Sequence, residues 1–281
     1  MQFKVRMRKD RFRCFAHFLR PYVVIYVPPY RKGDFFMSKL NHRQDSAQKI
    51  KKIVTAGLFA ALAYVAMFMT SWIKVSFLTF DAKDAIITLA GLLFGPLYAI
   101  AISLTVALIE FITVGDTGIY GFIMNFLSSA VFSTVCALIY KYKKNIKGAI
   151  IGLISSIFAM TAAMLLFNLF ITPIYMNVPR SVVASMIPTL FLPFNLTKGV
   201  MNSALVLVLY KPISHSLKAL NILPKKAPKE YASEEERIAA KKEAKRKNLI
   251  FSLIITGVGI ITIALCFVVF LVVLHGNFSF T

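Results

Sequence analysis

One lysine in the middle of a long apolar stretch is the strongest candidate for chemistry in this sequence. Lys198 lies 12 residues from each end of the apolar stretch 186–210. An ammonium group at that depth in a membrane is costly unless it is paired or solvated. Two explanations follow. Lys198 forms an ion pair with Glu110 of another apolar stretch, or it donates hydrogen bonds to a ligand in a polar cavity.

Asparagines near this lysine favour the ligand site. Asn195 precedes Lys198 by three residues, so the two side chains share one helix face. Asn168 and Asn125 lie inside two further apolar stretches. One membrane asparagine usually joins two helices, but an amide also offers a donor and an acceptor together. Several amides around a lysine would suit a heterocycle with alternating carbonyl and N–H groups.

The segment 74–84, KVSFLTFDAKD, is a second group of candidate binding residues. Phe77 and Phe80 alternate with polar residues and could cover an aromatic ligand. Asp81 and Asp84 could accept hydrogen bonds from ligand hydroxyl groups. Asp84 also stands where a helix is expected to begin, so it could instead cap that helix.

The sequence lacks the common motifs of catalysis and of nucleotide or metal binding. It contains no phosphate-binding loop, no HExxH and no G-x-S-x-G. Its three cysteines are far apart, and none of its four histidines has a carboxylate at a useful spacing. We therefore expect neither an enzyme nor a bound cofactor or metal.

The composition is that of an all-α membrane protein. Hydrophobic residues make up 58% of the 281 residues and charged residues 16%, whereas soluble proteins carry about 25% charge. The stretch 85–113 is too long for one span, and Gly95-Pro96 divides it into a short helix at 84–94 and a second at 97–113. With these two, seven spans are predicted, the others being 53–72, 120–140, 149–173, 186–210 and 249–274.

Basic residues predict how these spans are oriented. The formal net charge is +21, and 29 of the 33 Lys and Arg lie in residues 1–52, 141–147 and 211–248. By the positive-inside rule these segments face the cytoplasm. The N-terminus is therefore expected inside a bacterial cell, and the seventh helix should place the tail 275–281 outside.

The same pattern predicts the organisation of the chain. Residues 1–47 form a basic extension, disordered or upstream of the true start, and residues 48–215 form a six-helix core. Residues 216–248 are a charged cytoplasmic linker with a surface helix, followed by the seventh helix at 249–274. In the first span, Ala56 and Ala60, like Gly57 and Ala61, are four residues apart. Such small-residue faces pack against another helix of the chain or dock a membrane partner.

Several motifs resemble one transporter family. They are GLFAALAYVAMF (57–68), FDAKD (80–84), GLLFGP (91–96), NLFITPIY (168–175) and PFNLTKG (193–199). Over residues 50–215 the chain is similar to the substrate-binding S component of energy-coupling-factor (ECF) transporters, and PFNLTKG is similar to the riboflavin-specific branch.

The resemblance implies a six-helix bundle that captures riboflavin outside the cell with high affinity and has no ATPase of its own. It implies a separate transmembrane coupling protein, the T component, and two ABC-type ATPases as partners. Asn195 and Lys198 would contact the flavin, with Asn168 beside them, and the small-residue faces of the first helix would dock the T component. The C-terminal helix is additional to the family's six.

Other functions remain open at this stage. The chain could be an S component for folate, thiamine or pantothenate, or a secondary carrier driven by an ion gradient. A third alternative is a membrane enzyme with Glu110, Asp116 and Lys198 as acid and base groups.

Overall fold

The computed structural model describes residues 32–115, 118–220, 222, 234–272 and 277–278. Residues 1–47 and 48–281 form two separate units. Its elements are α1 (Lys32–Thr70), β1 (Ile73–Val75), β2 (Leu78–Thr79), α2 (Lys83–Phe94), α3 (Pro96–Thr113), α4 (Gly118–Tyr142), α5 (Ile146–Met176), α6 (Arg180–Met186), a π-helical turn (Ile187–Phe191), α7 (Leu192–Ala219), α8 (Glu234–Val272) and β3 (Asn277–Phe278).

The prediction of an all-α membrane protein is confirmed. Six helical segments in the described part of the chain are long and apolar enough to cross a membrane: Gln48–Thr70, Pro96–Thr113, Gly118–Tyr142, Ile146–Met176, Arg180–Ala219 and Ser252–Val272. The short helix α2 has 12 residues, about 18 Å in length. Nine of them are buried, so surrounding protein covers a helix that could not span a bilayer by itself.

Glycine and proline separate α2 from α3 as expected. Gly95 has φ 110°, a conformation that side chains disfavour, and Pro96 is the first residue of α3. Within α2, a Cβ added at Gly91 would lie 3.0 Å from the Cβ of Ala99 and 3.2 Å from the Cβ of Ala137. Glycine at position 91 therefore allows α2 to pack closely against α3 and α4.

The path of the chain differs from the predictions at three places. Residues 32–47, assigned to a disordered extension, belong to α1, whereas residues 1–31 lie outside the described part. The charged helix and the seventh span are one continuous helix, α8, rather than a linker followed by a separate span. Two residues of the C-terminal tail form β3. A tail that lies next to a hairpin can satisfy the hydrogen bonds of its own backbone by pairing with the edge of that hairpin.

A small antiparallel sheet interrupts the helical architecture. Its strand order is β2-β1-β3, so β1 is the central strand. Val75 pairs with Leu78 across a turn of two residues, Ser76 and Phe77. Ser76 adopts φ 55°, as two-residue hairpin turns require at their first position. The hairpin β1–β2 therefore occupies the segment that the sequence suggested as a ligand-covering loop.

Candidate ligand-binding site

A cavity of about 880 Å³ lies between the β1–β2 hairpin, the C-terminal end of α1 and helices α3, α4, α5 and α7. Its volume falls within the range of roughly 300–1,000 Å³ that is usual for small-molecule sites. It lies at the end of α4 opposite the basic loop that precedes α5, since Tyr120 and Asn125 line it near the start of that helix. Six of the eight predicted ligand contacts line it: Phe77, Asp81, Asn125, Asn168, Asn195 and Lys198.

The other two predicted contacts, Phe80 and Asp84, do not line the cavity. Phe80 is buried in an apolar cluster with Ile73 and Phe194, because alternate residues of an extended segment point to opposite sides. Asp84 is also buried, and its Oδ1 accepts a hydrogen bond of 2.5 Å from Ser129 Oγ. It makes no capping hydrogen bond at the start of α2, so the capping alternative is wrong.

Lys198 is paired and also lines the cavity. Its Nζ donates to Asp81 Oδ2 at 3.0 Å and lies 3.6 Å from Asp84 Oδ2. The predicted partner, Glu110, is instead 2.5 Å from Lys83 Nζ. The assignment of Glu110 as the partner of Lys198 is therefore wrong, because packing places Asp81, which precedes α2, and Asp84 of α2 beside the lysine.

Lys83 and Glu110 are residues of the site region that the sequence analysis missed or assigned differently. Lys83, which the sequence analysis did not select, has only 1% of its side chain exposed, and its Nζ lies 3.6 Å from Asp81 Oδ2. We call Asp81, Lys83, Asp84, Glu110 and Lys198 the buried charge cluster. Two signals could have indicated it: the spacing of charges in DAKD, and an acidic residue inside a span, which needs a partner.

Hydrogen bonds hold the three amides of the cavity wall in defined orientations. Asn195 Nδ2 donates to Phe191 O at 2.8 Å, and Asn168 Nδ2 donates to Met164 O at 2.7 Å. Asn125 Nδ2 donates to Glu110 Oε1 at 2.7 Å. The side chains are thus positioned before any ligand arrives, which reduces the entropy cost of binding.

Aromatic rings form a further part of the wall. The ring centroid of Phe77 lies 6.3 Å from that of Tyr175 and 5.9 Å from that of Phe191, both in edge-to-face arrangements. Trp72 and Tyr120 also line the cavity, although the sequence analysis did not select them. This wall offers an apolar, polarisable surface to a flat ring system.

The two small-residue faces of α1 have different surroundings. Ala60 is buried in the core and Ala56 is packed against it. Gly57 and Ala61 are exposed, and no atom lies within 4 Å of a Cβ added at Gly57. Only the Gly57 and Ala61 face is therefore available to another membrane protein.

The expectations about a membrane enzyme and about metal binding can be compared only with the residues that the structure describes. Asp116, the third group of the alternative membrane enzyme, lies outside the described residues. Within the described residues, no group of three or more His, Cys, Asp or Glu side chains is arranged to hold a metal ion.

Comparisons with known proteins agree on one family. The family model "ECF transporter, substrate-specific component" matches residues 51–210. The riboflavin transporter RibU of Staphylococcus aureus (strain TCH60) is 30% identical over 187 residues, which cover 63% of this chain and 98% of RibU. The riboflavin transporter FmnP of Bacillus subtilis (strain 168) is 27% identical over 178 residues, covering 58% of this chain and 94% of FmnP.

A solved structure agrees with these matches. It is described as "Structure and mechanism of the S component of a bacterial ECF transporter" and superimposes with a TM-score of 0.52 at 28% identity. The superposition covers 60% of this chain and 99% of that chain.

Proposed function

Because this chain belongs to the family of substrate-specific (S) components of ECF transporters, we propose that it is the riboflavin-binding subunit of a vitamin importer. The observation that carries the proposal is the cavity, where a central lysine, three amides and an aromatic wall meet. Two relatives named as riboflavin transporters support the same ligand.

The chemistry of the cavity suits a flavin. The isoalloxazine ring has a wide aromatic face, which can rest against the wall formed by Phe77 and Tyr175. Its polar edge carries two carbonyls on either side of an N–H group, and the amide of Asn195 can pair with such an edge. Lys198 can donate a hydrogen bond to a ring carbonyl or ring nitrogen, while Asp81 balances the charge of the lysine. A ligand without this edge would leave buried polar groups unpaired, which favours the flavin.

The family membership implies an energising module as partner. We propose that this module consists of a transmembrane T component and two ABC-type ATPases, and that the exposed face with Gly57 and Ala61 docks the T component. We further propose that the cavity faces the outside of the bacterial cell, because it lies at the opposite end of α4 from the basic residues 141–147. In this arrangement the chain captures riboflavin outside and releases it inside when coupled to the module.

Binding of riboflavin by the purified chain tests the proposal. We expect one riboflavin per chain, measured by quenching of flavin fluorescence in detergent. Lys198→Ala should weaken binding by about 1–3 kcal/mol, because a charged hydrogen bond is lost. Lys147→Ala is the matched control, since this exposed lysine lies at the opposite end of α4 and α5 and should leave the affinity unchanged.

Two results would contradict parts of this proposal. A tighter complex with folate, thiamine or pantothenate than with riboflavin would reassign the ligand. An unchanged affinity in Lys198→Ala, with the thermal stability of the protein preserved, would remove Lys198 from the site.

A further inference from the structure

The C-terminal helix and strand contact the wall of the cavity from outside the region that the family model matches. That region ends at residue 210, whereas α8 begins at Glu234 and β3 ends at Phe278. We propose that residues 259–272 of α8 together with β3 form a C-terminal brace that holds the β1–β2 hairpin against the bundle and thereby sets the rate of ligand exchange. The identity of the ligand rests on the proposed function, but the brace itself does not.

The first step is the sheet. Without β3, β1 and β2 would form an isolated pair of very short strands, and such a hairpin has marginal stability in water. Strand β3 pairs with the free edge of β1, with Ile73 opposite Phe278 and Lys74 opposite Asn277. The C-terminal strand therefore makes β1 a central strand and gives the hairpin a second source of backbone hydrogen bonds.

The second step is a stripe of apolar side chains on α8. Ile263, Cys266, Phe267 and Phe270 are spaced at positions i, i+3, i+4 and i+7, which places them on one helix face. All four belong to the apolar cluster that contains the hairpin. Cys266 and Phe270 are buried there, although most of the membrane-spanning part of α8 is exposed. The one packed face of α8 in this half of the helix is thus directed at the hairpin.

The third step is the orientation of the hairpin. Ile73 and Val75 are buried in the cluster with Cys266 and Phe270, whereas Lys74, between them, lines the cavity. This alternation follows from the two-residue period of a strand. One face of β1 therefore contacts the brace and the other face contacts the cavity, so the hairpin cannot leave the cavity mouth without separating from the brace.

The fourth step is the attachment of α8 to the bundle. Gly259 is buried, and a Cβ added there would lie 2.5 Å from Val208 Cγ2 of α7. Glycine at this position allows the two helices to approach closely. Because α7 also carries Asn195 and Lys198, the brace connects the hairpin to the helix that provides the central polar groups of the site.

A reversible cross-link between β3 and β1 tests the proposal. The variant Ile73→Cys/Phe278→Cys places two cysteines at paired positions of an antiparallel ladder, where Cα distances of about 4.5–5.5 Å suit a disulfide. We expect oxidation to form the cross-link and to slow riboflavin dissociation by at least about tenfold, and dithiothreitol to restore the original rate. The variants Ile73→Cys and Phe278→Cys, each made alone, are the controls and should not respond to dithiothreitol.

Weakening the apolar stripe of α8 should have the opposite effect to the cross-link. Phe270→Ala removes a buried ring from the stripe and should accelerate riboflavin dissociation by at least about tenfold, because truncating a buried aromatic side chain strongly weakens the packing around it. Phe270→Leu should retain most of the slow exchange. Leu265→Ala is the matched control, since Leu265 lies on the exposed face of the same helix.

A second readout does not depend on riboflavin. Ser128 is buried, lines the cavity and has no hydrogen-bond partner among the residues that the structure describes. A cysteine at this position therefore reports access to the cavity. In Ser128→Cys the brace predicts slower maleimide labelling when the 73–278 cross-link is oxidised. If the unaltered chain binds no riboflavin, the proposed function fails and this labelling still decides on the brace.

Two outcomes would overturn the brace. Failure of the two cysteines to form a disulfide would show that β3 does not pair with β1. A disulfide that forms and changes neither riboflavin exchange nor labelling at position 128 would show that the C-terminal segment does not control the hairpin.

Discussion

At the scale of single residues, the buried charge cluster is the feature on which the site depends. Each of its lysines contacts two carboxyl groups, and Asp81 Oδ2 is shared between Lys83 and Lys198. The desolvation of buried charges is repaid only when such partners are in place. Lys83, which unlike Lys198 does not line the cavity, therefore stabilises the arrangement of carboxylates that positions Lys198.

Removal of Lys83 should show this coupling. Lys83→Met leaves Glu110 and Asp81 with one positive partner fewer, and we expect a loss of about 3–5 kcal/mol in the free energy of unfolding, as for other broken buried pairs. The double variant Lys83→Met/Glu110→Gln removes one charge of each sign and should recover most of that loss. Thermal unfolding in detergent measures both. Equal destabilisation by the single and double variants would contradict the pairing.

At the scale of elements, the short helix α2 places two members of the buried charge cluster inside the bundle. It starts with Lys83 and Asp84 and packs closely against α3 and α4 at Gly91. Asn202 of α7 fastens its beginning, since Asn202 Oδ1 accepts from Ala85 N and its Nδ2 donates to Asp81 O, both at 3.1 Å. The position of α2 therefore determines which charged groups face Lys198.

A larger side chain at Gly91 should displace α2. Gly91→Val would place methyl groups into Ala99 and Ala137, and overpacking of this kind typically costs about 1–3 kcal/mol. We expect a lower unfolding temperature and weaker riboflavin binding, because α2 carries Asp84 and directly follows the segment with Asp81, and these two residues are the partners of Lys198. Gly57→Ala is the control, since its Cβ meets no atom within 4 Å and alanine favours a helix. If Gly91→Val and Gly57→Ala have the same unfolding temperature and the same affinity for riboflavin, the close approach at Gly91 does not contribute to stability or binding.

At the scale of the whole molecule, the binding site and the proposed docking face are separate. The cavity lies at the hairpin end of the bundle, and Gly57 and Ala61 lie on the exposed side of α1. The seventh membrane helix packs against α7. Ligand capture and assembly with the energising module should therefore respond to different substitutions.

Bulky residues on the docking face should separate these two properties. We expect Gly57→Leu/Ala61→Leu to bind riboflavin with unchanged affinity but to co-purify poorly with the T component and ATPases, because close helix packing requires small residues. Ala101→Leu, at an exposed alanine of α3, is the control and should assemble normally. Normal assembly of the double variant would exclude this face as the docking surface.

Much of the architecture follows from properties that can be read along the chain. Each of these properties depends only on a short stretch of sequence: the length of a span, the break at Gly95-Pro96 and the density of basic residues. The bilayer imposes a length of roughly 20 apolar residues per span. The candidate residues of the cavity could also be predicted from the sequence, because polar side chains inside apolar stretches are few. The sequence did not predict that residues 32–47 are helical or that α8 is continuous. Charged and polar residues are compatible with both a helix and a linker.

The sequence by itself determined the apolar membrane spans, the short helix and six of the residues that line the cavity. Only the tertiary structure decided that Lys198 pairs with Asp81, 117 residues away, while Glu110 pairs with Lys83, 27 residues away. It also decided that the C-terminal strand completes the sheet beside the cavity. The physical reason is that hydropathy acts on each segment independently, whereas the partner of a buried charge or of a strand edge depends on which segments packing brings together.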